Sequence, residues 1–308
     1  MRPLMLINSA SRRGEAARRY ERVRDVVDAE LAPAVVDLDR GAAWRSTIED
    51  SLRRGSRFFV AAGGDGTVHA VANALVENES RVPLHEICLG AIGLGSSNDF
   101  HKPMRRIVRG VPLRLGFVDR APRDVARATF VDDAGVERHR CFLVSASLGA
   151  TAAANRRFGD GTPLARTLGA HAVGAAIVWA AARTLAAHRD IEATLAVGND
   201  CELVALSNLS IMKTPYLSGT FCYDTPIEPA SGTLAVALCH RMSPLRLFRT
   251  LFALAFGKFR GLPRTRTWLS PEASVVLAKP TDLELDGELF RARRVRFDLL
   301  GERLAVCA

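Results

Sequence analysis

Aromatic residues make up only 6% of the 308 positions, with three tryptophans and three tyrosines. Nowhere do they alternate with lysine or arginine as a stacking platform for single-stranded nucleic acid requires, so nucleic acid is not an expected partner. The six cysteines (Cys88, Cys141, Cys201, Cys222, Cys239 and Cys307) are scattered without a C-x-x-C pair. That spacing argues against a zinc or disulfide framework and fits thiols used as core filler in a reducing compartment. Walker A, G-x-S-x-G and H-E-x-x-H motifs are missing, as are internal repeats and low-complexity runs. The N-terminal apolar run "LMLI" is too short for a signal peptide and no cleavage pattern follows it, so a cytoplasmic chain is expected. A long uncharged apolar run is lacking too: residues 169–187, "GAHAVGAAIVWAAARTLAA", contain His171 and Arg183, and they read as a buried helix rather than a membrane span.

What is present is a globular composition, 48% hydrophobic and 24% charged, with a formal charge of +9 that favours an anionic partner such as a nucleotide or an acidic membrane face. The length suits two domains of roughly 150 residues each. Residues 1–120 alternate strand and helix patterns: strands at 4–8, 34–39, 58–62 and 86–92, helices at 15–31, 47–54 and from Thr67 onward. This predicts a Rossmann-like α/β domain with a parallel sheet and its ligand at the carboxyl ends of the strands. Residues 121–294 read instead as antiparallel strands, with turns at 132–135 and 198–200, and residues 295–308 return to the first domain.

Two loops carry the chemistry. In "FFVAAGGDGTVHAVANAL" a buried strand stops at Gly63-Gly64-Asp65-Gly66-Thr67 and a helix begins. Glycines there let the backbone approach a phosphate, and the helix N-terminus supplies N–H groups and a positive dipole end. A carboxylate in such a cradle would repel phosphate unless a divalent cation or a proton in transit lay between them, so Asp65 suggests metal-assisted phosphoryl chemistry. The plainer alternative is a tight turn whose Asp caps the helix. A second loop, Gly93 to Asp99 in "GLGSSNDF", repeats the design at the end of the next strand.

With "INSAS" (Ile7 to Ser11), "GGDGTVHAVANAL", "GLGSSNDF" and "LDGE" (Leu285 to Glu288) in this order, the chain resembles the diacylglycerol kinase catalytic family, which includes bacterial lipid kinases and sphingosine and ceramide kinases. The resemblance implies a fold like that of NAD kinases and diacylglycerol kinases: an ATP-binding α/β domain, an antiparallel β-sandwich domain, and ATP in the cleft between them. It further implies that Asn8, Asp39, Gly63, Gly64, Asp65, Gly66, Thr67, Gly95, Ser96 and Asn98 contact the nucleotide. Gly64 to Ala70 would line the phosphates, Asp65 and Asp99 would organise Mg²⁺, and Glu288 would take the proton from the lipid hydroxyl, with Asp65 the competing base. Read alone, Asp286-Gly287 is equally a hairpin turn with an exposed glutamate beside it.

The sequence departs from the family pattern at Ser9, Arg12, Ala70, Gly93, Ser97 and Lys102, and Ser231 stands where some bacterial members place an aspartate for a structural Mg²⁺. Diacylglycerol is the default acceptor, ceramide or a sphingoid base the alternative, and a nucleotide- or lipid-binding regulator without turnover the reading from a different class. Residues 243–261 place Leu245, Phe248, Phe252, Phe256 and Phe259 on one side, flanked by Arg246, Arg249, Lys258 and Arg260. This is either a helix that rests on an anionic membrane surface or one that packs its phenylalanines on the β domain. Peripheral membrane association and a homodimer complete the expected partners.

Overall fold

The structure is a computed structural model that describes residues 2–38, 43–159 and 188–308. Asp39 and the helix expected at residues 169–187 lie outside the described residues. Four parallel strands, β1 (Leu4–Ile7), β2 (Ala34–Asp37), β3 (Phe58–Gly63) and β4 (Cys88–Gly93), pair in the order β2-β1-β3-β4. Because side chains alternate along a strand, β1 and β3 feed two cores. Leu4, Leu6, Phe59 and Ala61 pack under α3 (Ala43–Arg53) and α4 (Asp65–Val76), against Ile48, Leu52, Val68, Val71 and Leu75. Met5, Ile7, Phe58, Val60 and Ala62 pack under α1 (Glu15–Glu21) and α2 (Arg24–Leu31), against Ala16, Tyr20 and Val27.

The single helix expected over 15–31 is broken. Val23 leaves helical geometry and drops fully into the core, so two short helices wrap round the sheet instead of one running past its edge.

The rest of the chain is β-rich. It comprises β5 (Ile107–Val108), β6 (Val111–Arg114), β7 (Ala121–Val131), β8 (Glu137–Phe142), β9 (Ser145–Gly149), β10 (Ile191–Val197), β11 (Asp200–Met212), β12 (Tyr216–Leu217) and β13 (Phe221–Cys222). It continues with β14 (Leu234–His240), β15 (Thr265–Ser270), β16 (Ala273–Leu285) and β17 (Glu288–Val306), with α5 (Ala150–Gly159) and α6 (Pro244–Ala255) on the sheet. The antiparallel order is β15-β14-β11-β10-β16-β17-β7-β8, and β9 pairs with both β11 and β16. The two-residue connection at Gly198-Asn199 forms the hairpin that the sequence predicts.

β17 joins the domains. It begins beside β16 at Glu288 and ends beside β4 in parallel, Ala305 opposite Cys88 and Val306 opposite Leu89. One sheet therefore runs through the α/β and the β-rich parts. Cys88, Cys141, Cys239 and Cys307 are buried as expected of core filler, whereas Cys201 is exposed.

α6 corrects two expectations. It ends at Ala255, so Phe259 lies beyond it and packs edge-on against Tyr223 with ring centroids 4.8 Å apart. The helix docks through Leu247, Thr250 and Leu254, so Phe248, Phe252 and Phe256 do not pack on the β domain. Among the described residues no helix is long and apolar enough to cross a membrane.

Lys213 is fully buried, and its ammonium meets an oxygen shell of the Asp124 carboxylate at 2.8 Å and the Thr233 carbonyl at 2.8 Å. Asp124 also accepts from Arg303 and from the Gly232 N–H. Loss of one member of a buried pair strands the other. We expect Lys213→Met to lower stability by ~2–4 kcal/mol, read as a lower urea midpoint at unchanged slope.

Candidate active site

The loop after β3 and the loop after β4 meet backbone to backbone. A Cβ on Gly64 would lie 3.2 Å from the Gly95 Cα, and one on Gly95 would overlap the Gly64 Cα. Only glycine fits both positions. Gly64 begins α4 without a side-chain cap, so the first turn points its backbone N–H groups into this loop. Asn8 lies at the same end of the sheet, its N–H bonded to the Ala62 carbonyl.

The second loop is shaped from within. Asn98 adopts a left-handed backbone, φ 51°, accepts the Gly95 N–H at 3.0 Å and donates to the Gly95 carbonyl at 3.0 Å. Its amide thus closes the loop on itself, while Ser96 remains exposed. Thr67 is buried beneath Gly63, where a Cβ would strike its hydroxyl.

Asp65 sits between the loops and accepts the Phe100 N–H at 2.9 Å. Burial, and after it the charge of Asp99, pushes its carboxyl up to about 6. Asp99 is held differently: both its oxygens accept the Gly219 N–H at 3.1 Å, and Oδ1 receives the Lys102 ammonium at 2.7 Å. Behind them, Phe100 is buried with the guanidinium of Arg123 4.8 Å and that of Arg114 5.9 Å from its ring. These two cations, Arg123 buried and Arg114 half-buried, stiffen the segment that carries Asp99.

Glu288 reaches the same place from the other domain. The hairpin from β16 to β17 turns at Asp286 and Gly287, both with positive φ (48° and 94°), as a two-residue turn requires. That turn sets Glu288 over the first loop, where a Cβ on Gly66 would be 2.7 Å from its Oε1. The hairpin is anchored by the Asp286 carboxylate, which accepts the N–H groups of Leu143 (2.8 Å), Val144 (2.9 Å) and Ser145 (3.0 Å). From α4, His69 approaches Asp286 at 3.6 Å. Asn73 bonds both the N–H and the carbonyl of Cys141 on β8.

Motif reading missed a further carboxyl. Glu284 is buried, accepts the Ser147 hydroxyl at 2.6 Å and the Gly287 N–H at 2.6 Å, and is pushed up to about 7 chiefly by burial. Its signal in the sequence is the alternation in "LELD", which puts Glu284 on the face opposite Leu283 and Leu285. Five carboxyl groups, Asp65, Asp99, Glu284, Asp286 and Glu288, thus cluster beside the first turn of α4, three of them buried. Asp65 and Glu288 are the two not already tied down on every side.

A metal ion fits this site in one manner only. Among the described residues no three His, Cys, Asp or Glu side chains are spaced to hold a metal by themselves. The Asp99 oxygens already serve Lys102 and Gly219. Mg²⁺ asks for one or two carboxylates together with phosphate oxygens and water, a set that Asp65 with a bound nucleotide can supply.

Residues 2–113 match the family model of the diacylglycerol kinase catalytic domain, so the resemblance carried by the motifs holds over that stretch. A Klebsiella pneumoniae (strain 342) protein named "Probable lipid kinase YegS-like" is 36% identical over 99 residues, 30% of either chain. A protein of the same name from Enterobacter sp. (strain 638) is 30% identical over 149 residues, 47% of this chain and 45% of that one. The matched stretches span less than half the length of these curated relatives. A solved diacylglycerol kinase from Bacillus anthracis str. Sterne has the same fold at TM-score 0.64 and 12% identity, over 99% of this chain and 96% of that one. A second solved structure from that organism reaches TM-score 0.71 at 14% identity and the same coverage.

Two expectations follow from the charges. In a ¹³C carboxyl NMR titration Asp65 titrates near 6, and in Asp99→Asn its midpoint falls because the neighbouring negative charge is gone; an unmoved midpoint contradicts the assigned cause. Glu284, raised from 4.5 to about 7, contributes stability that is complete below its unfolded value and is lost as the pH climbs through 7. Glu284→Gln removes that loss, its amide oxygen still accepting the Gly287 N–H and its NH₂ donating to the Ser147 hydroxyl oxygen, which turns from donor to acceptor. Its melting temperature should exceed wild type at about pH 8, by the equivalent of ~1–3 kcal/mol, and the gap should close toward about pH 5.

Proposed function

We propose that this protein is an ATP-dependent lipid kinase that transfers the γ-phosphoryl group of ATP to the hydroxyl of a membrane lipid, with diacylglycerol as acceptor and phosphatidic acid as product. The observation that carries the reading is the position of Glu288. A carboxylate from the β-rich domain lies against Gly66, inside the glycine cradle of the α/β domain, so a phosphoryl group in the cradle and a hydroxyl beside Glu288 would be neighbours.

The first turn of α4, from Gly64 to Gly66, binds and orients the phosphates through its backbone N–H groups and the positive end of the helix, while Gly95, whose own N–H is held by Asn98, leaves the space they need. A Mg²⁺ ion bound by Asp65 and phosphate oxygens would neutralise charge on the transferred group. A lipid alcohol is a weak nucleophile, and Glu288 accepts its proton as the oxygen attacks the γ-phosphorus; the bond from that phosphorus to the β,γ-bridging oxygen breaks and ADP leaves with the electron pair. Asp65 is the competing acceptor. Raised to about 6 with no cation beside it, Asp65 is basic enough to share a proton, and Mg²⁺ on its carboxylate would lower it again, so the proton role and the metal role compete at this residue.

The acceptor resides in a bilayer, so the reading includes peripheral association with the anionic inner face of the membrane from the cytoplasmic side. Lys102 on Asp99 gives the non-catalytic alternative its one specific support, since an acid of the cleft is neutralised before any ligand arrives.

The test is transfer of labelled phosphate from ATP to diacylglycerol, ceramide and sphingosine in mixed micelles by wild type, Asp65→Asn and Glu288→Gln. We expect a labelled lipid from wild type and losses in kcat of ~10²–10⁴-fold in each variant, larger for the residue that is the base. A folded, ATP-binding wild type that labels no lipid would instead support the regulator.

A further inference from the structure

The helix α6 is apolar on two opposite sides. One side, Leu247, Thr250 and Leu254, is buried on the β-rich domain with Leu217, Tyr223 and Phe259. The other carries Leu245 (60% exposed), Phe248 (43%), Phe252 (61%) and, at the C-cap, Phe256 (66%). At 3.6 residues per turn these four share one stripe, and the rings of Phe252 and Phe256 stack obliquely with centroids 5.1 Å apart. Four large apolar side chains side by side at this exposure mark a surface that meets something.

The charge around the stripe selects the partner. From residue 229 to 271 the sequence has no aspartate or glutamate, and it carries Arg241, Arg246, Arg249, Lys258, Arg260, Arg264 and Arg266. Arg260 and Arg266 are paired with Asp224 and with Asp200 and Glu202. Among the described residues Arg246, Arg249 and Lys258, exposed beside the stripe, have no ion-pair partner. An apolar ridge bordered by free cations complements an anionic headgroup layer above acyl chains. A second copy of this chain would bring Arg246 and Arg249 against their like. Residues 160–187 contain Arg166 and Arg183 and only Asp160 to offset them, so they do not complement these cations either.

We propose that the Leu245, Phe248, Phe252 and Phe256 face of α6, with Arg246, Arg249 and Lys258, is the surface on which the protein docks to an anionic lipid bilayer. The choice of a bilayer rests on the lipid-kinase reading, and the surface lies one structural element from the cleft. The β12–β13 hairpin packs under α6 through Leu217 and Phe221, and its tip residue Gly219 donates its N–H to Asp99. A docked α6 therefore holds the cleft at a fixed height above the headgroups.

The test is sedimentation, without ATP, with vesicles of equal parts phosphatidylcholine and phosphatidylglycerol at low and high salt, alongside vesicles of phosphatidylcholine alone. Wild type is expected to bind the anionic vesicles and to weaken with salt. Phe252→Ser/Phe256→Ser should lower the bound-to-free ratio by at least ~10-fold at low salt, through lost apolar burial. Arg246→Gln/Arg249→Gln should weaken binding at low salt and flatten its salt dependence. Both variants should keep the wild-type melting temperature and the wild-type turnover of a short-chain, water-soluble diacylglycerol while losing turnover of vesicle-borne lipid.

Vesicle binding by Phe252→Ser/Phe256→Ser equal to wild type overturns the proposal. So does a melting temperature several degrees lower in that variant with vesicle binding unchanged, which would mean that the chain covers the face itself, or a wild-type dimer that this variant splits without loss of vesicle binding. Docking through this face by a protein that phosphorylates no lipid leaves the surface standing and removes the kinase. Phosphorylation of the short-chain lipid by a wild type that ignores vesicles does the reverse.

Discussion

The contact between the Gly64 and Gly95 backbones sets the distance between the loops after β3 and β4, and the cleft is built outward from it. Any Cβ at Gly95 would meet the Gly64 Cα, so the loops cannot close to this distance with other residues. Their closeness concentrates N–H groups and puts Asp65 within reach of the Phe100 N–H and of the field of Asp99. Five carboxyl groups gathered in one place repel one another, and would repel the phosphates of the proposed function as well. The fold relieves part of the repulsion by giving Asp99 to Lys102 and Asp286 to three backbone N–H groups, and by raising Asp65 and Glu284.

The second requirement is that Glu288 keep its place over Gly66 although it belongs to another domain. β17 meets it by running from the cleft at Glu288 to a parallel pairing with β4 at Val306. Asn73 on Cys141 and Asp286 on residues 143–145 pin α4, β8 and the β16–β17 turn to one another. The domains thus share sheet hydrogen bonds and buried polar contacts, which resist sliding more strongly than an apolar interface of equal area would.

What was legible in the sequence is what backbone geometry demands of residue type. Gly64, Gly66 and Gly95 are needed where backbones touch or a carboxylate crosses, Gly63 where the Thr67 side chain folds back, and Asp286-Gly287 where a hairpin needs positive φ, so these positions could be read without coordinates. The alternation of β1 to β4 with helices was readable for the same reason. Lys213 with Asp124, Arg114 and Arg123 on Phe100, and Glu284 with Ser147 were not, because each joins residues far apart in the chain through pairings that no local pattern states. The break at Val23 escaped too, since Tyr20, Val23 and Val27 satisfy helical spacing whether or not the backbone between them stays helical. α6 failed in a more instructive way. Its phenylalanines and its leucines are both spaced for a buried face, and only the sheet beneath decides that Leu247 and Leu254 go inside while Phe248 and Phe252 stay out.

Under the proposed lipid-kinase function, that decision bears on how the site meets a substrate dissolved in a bilayer. The acids proposed to act chemically are gathered at Asp65, Asp99 and Glu288, while residues 229–271 hold cations and no acid at all. A bilayer with anionic headgroups would attract the second region and repel the first, which favours the proposed approach with α6 toward the lipid. The β12–β13 hairpin spans the distance between the two, its base under α6 and its tip on Asp99. On that proposal orientation and site geometry need no conformational signal between them, because α6 and the hairpin that fixes Asp99 are already packed together.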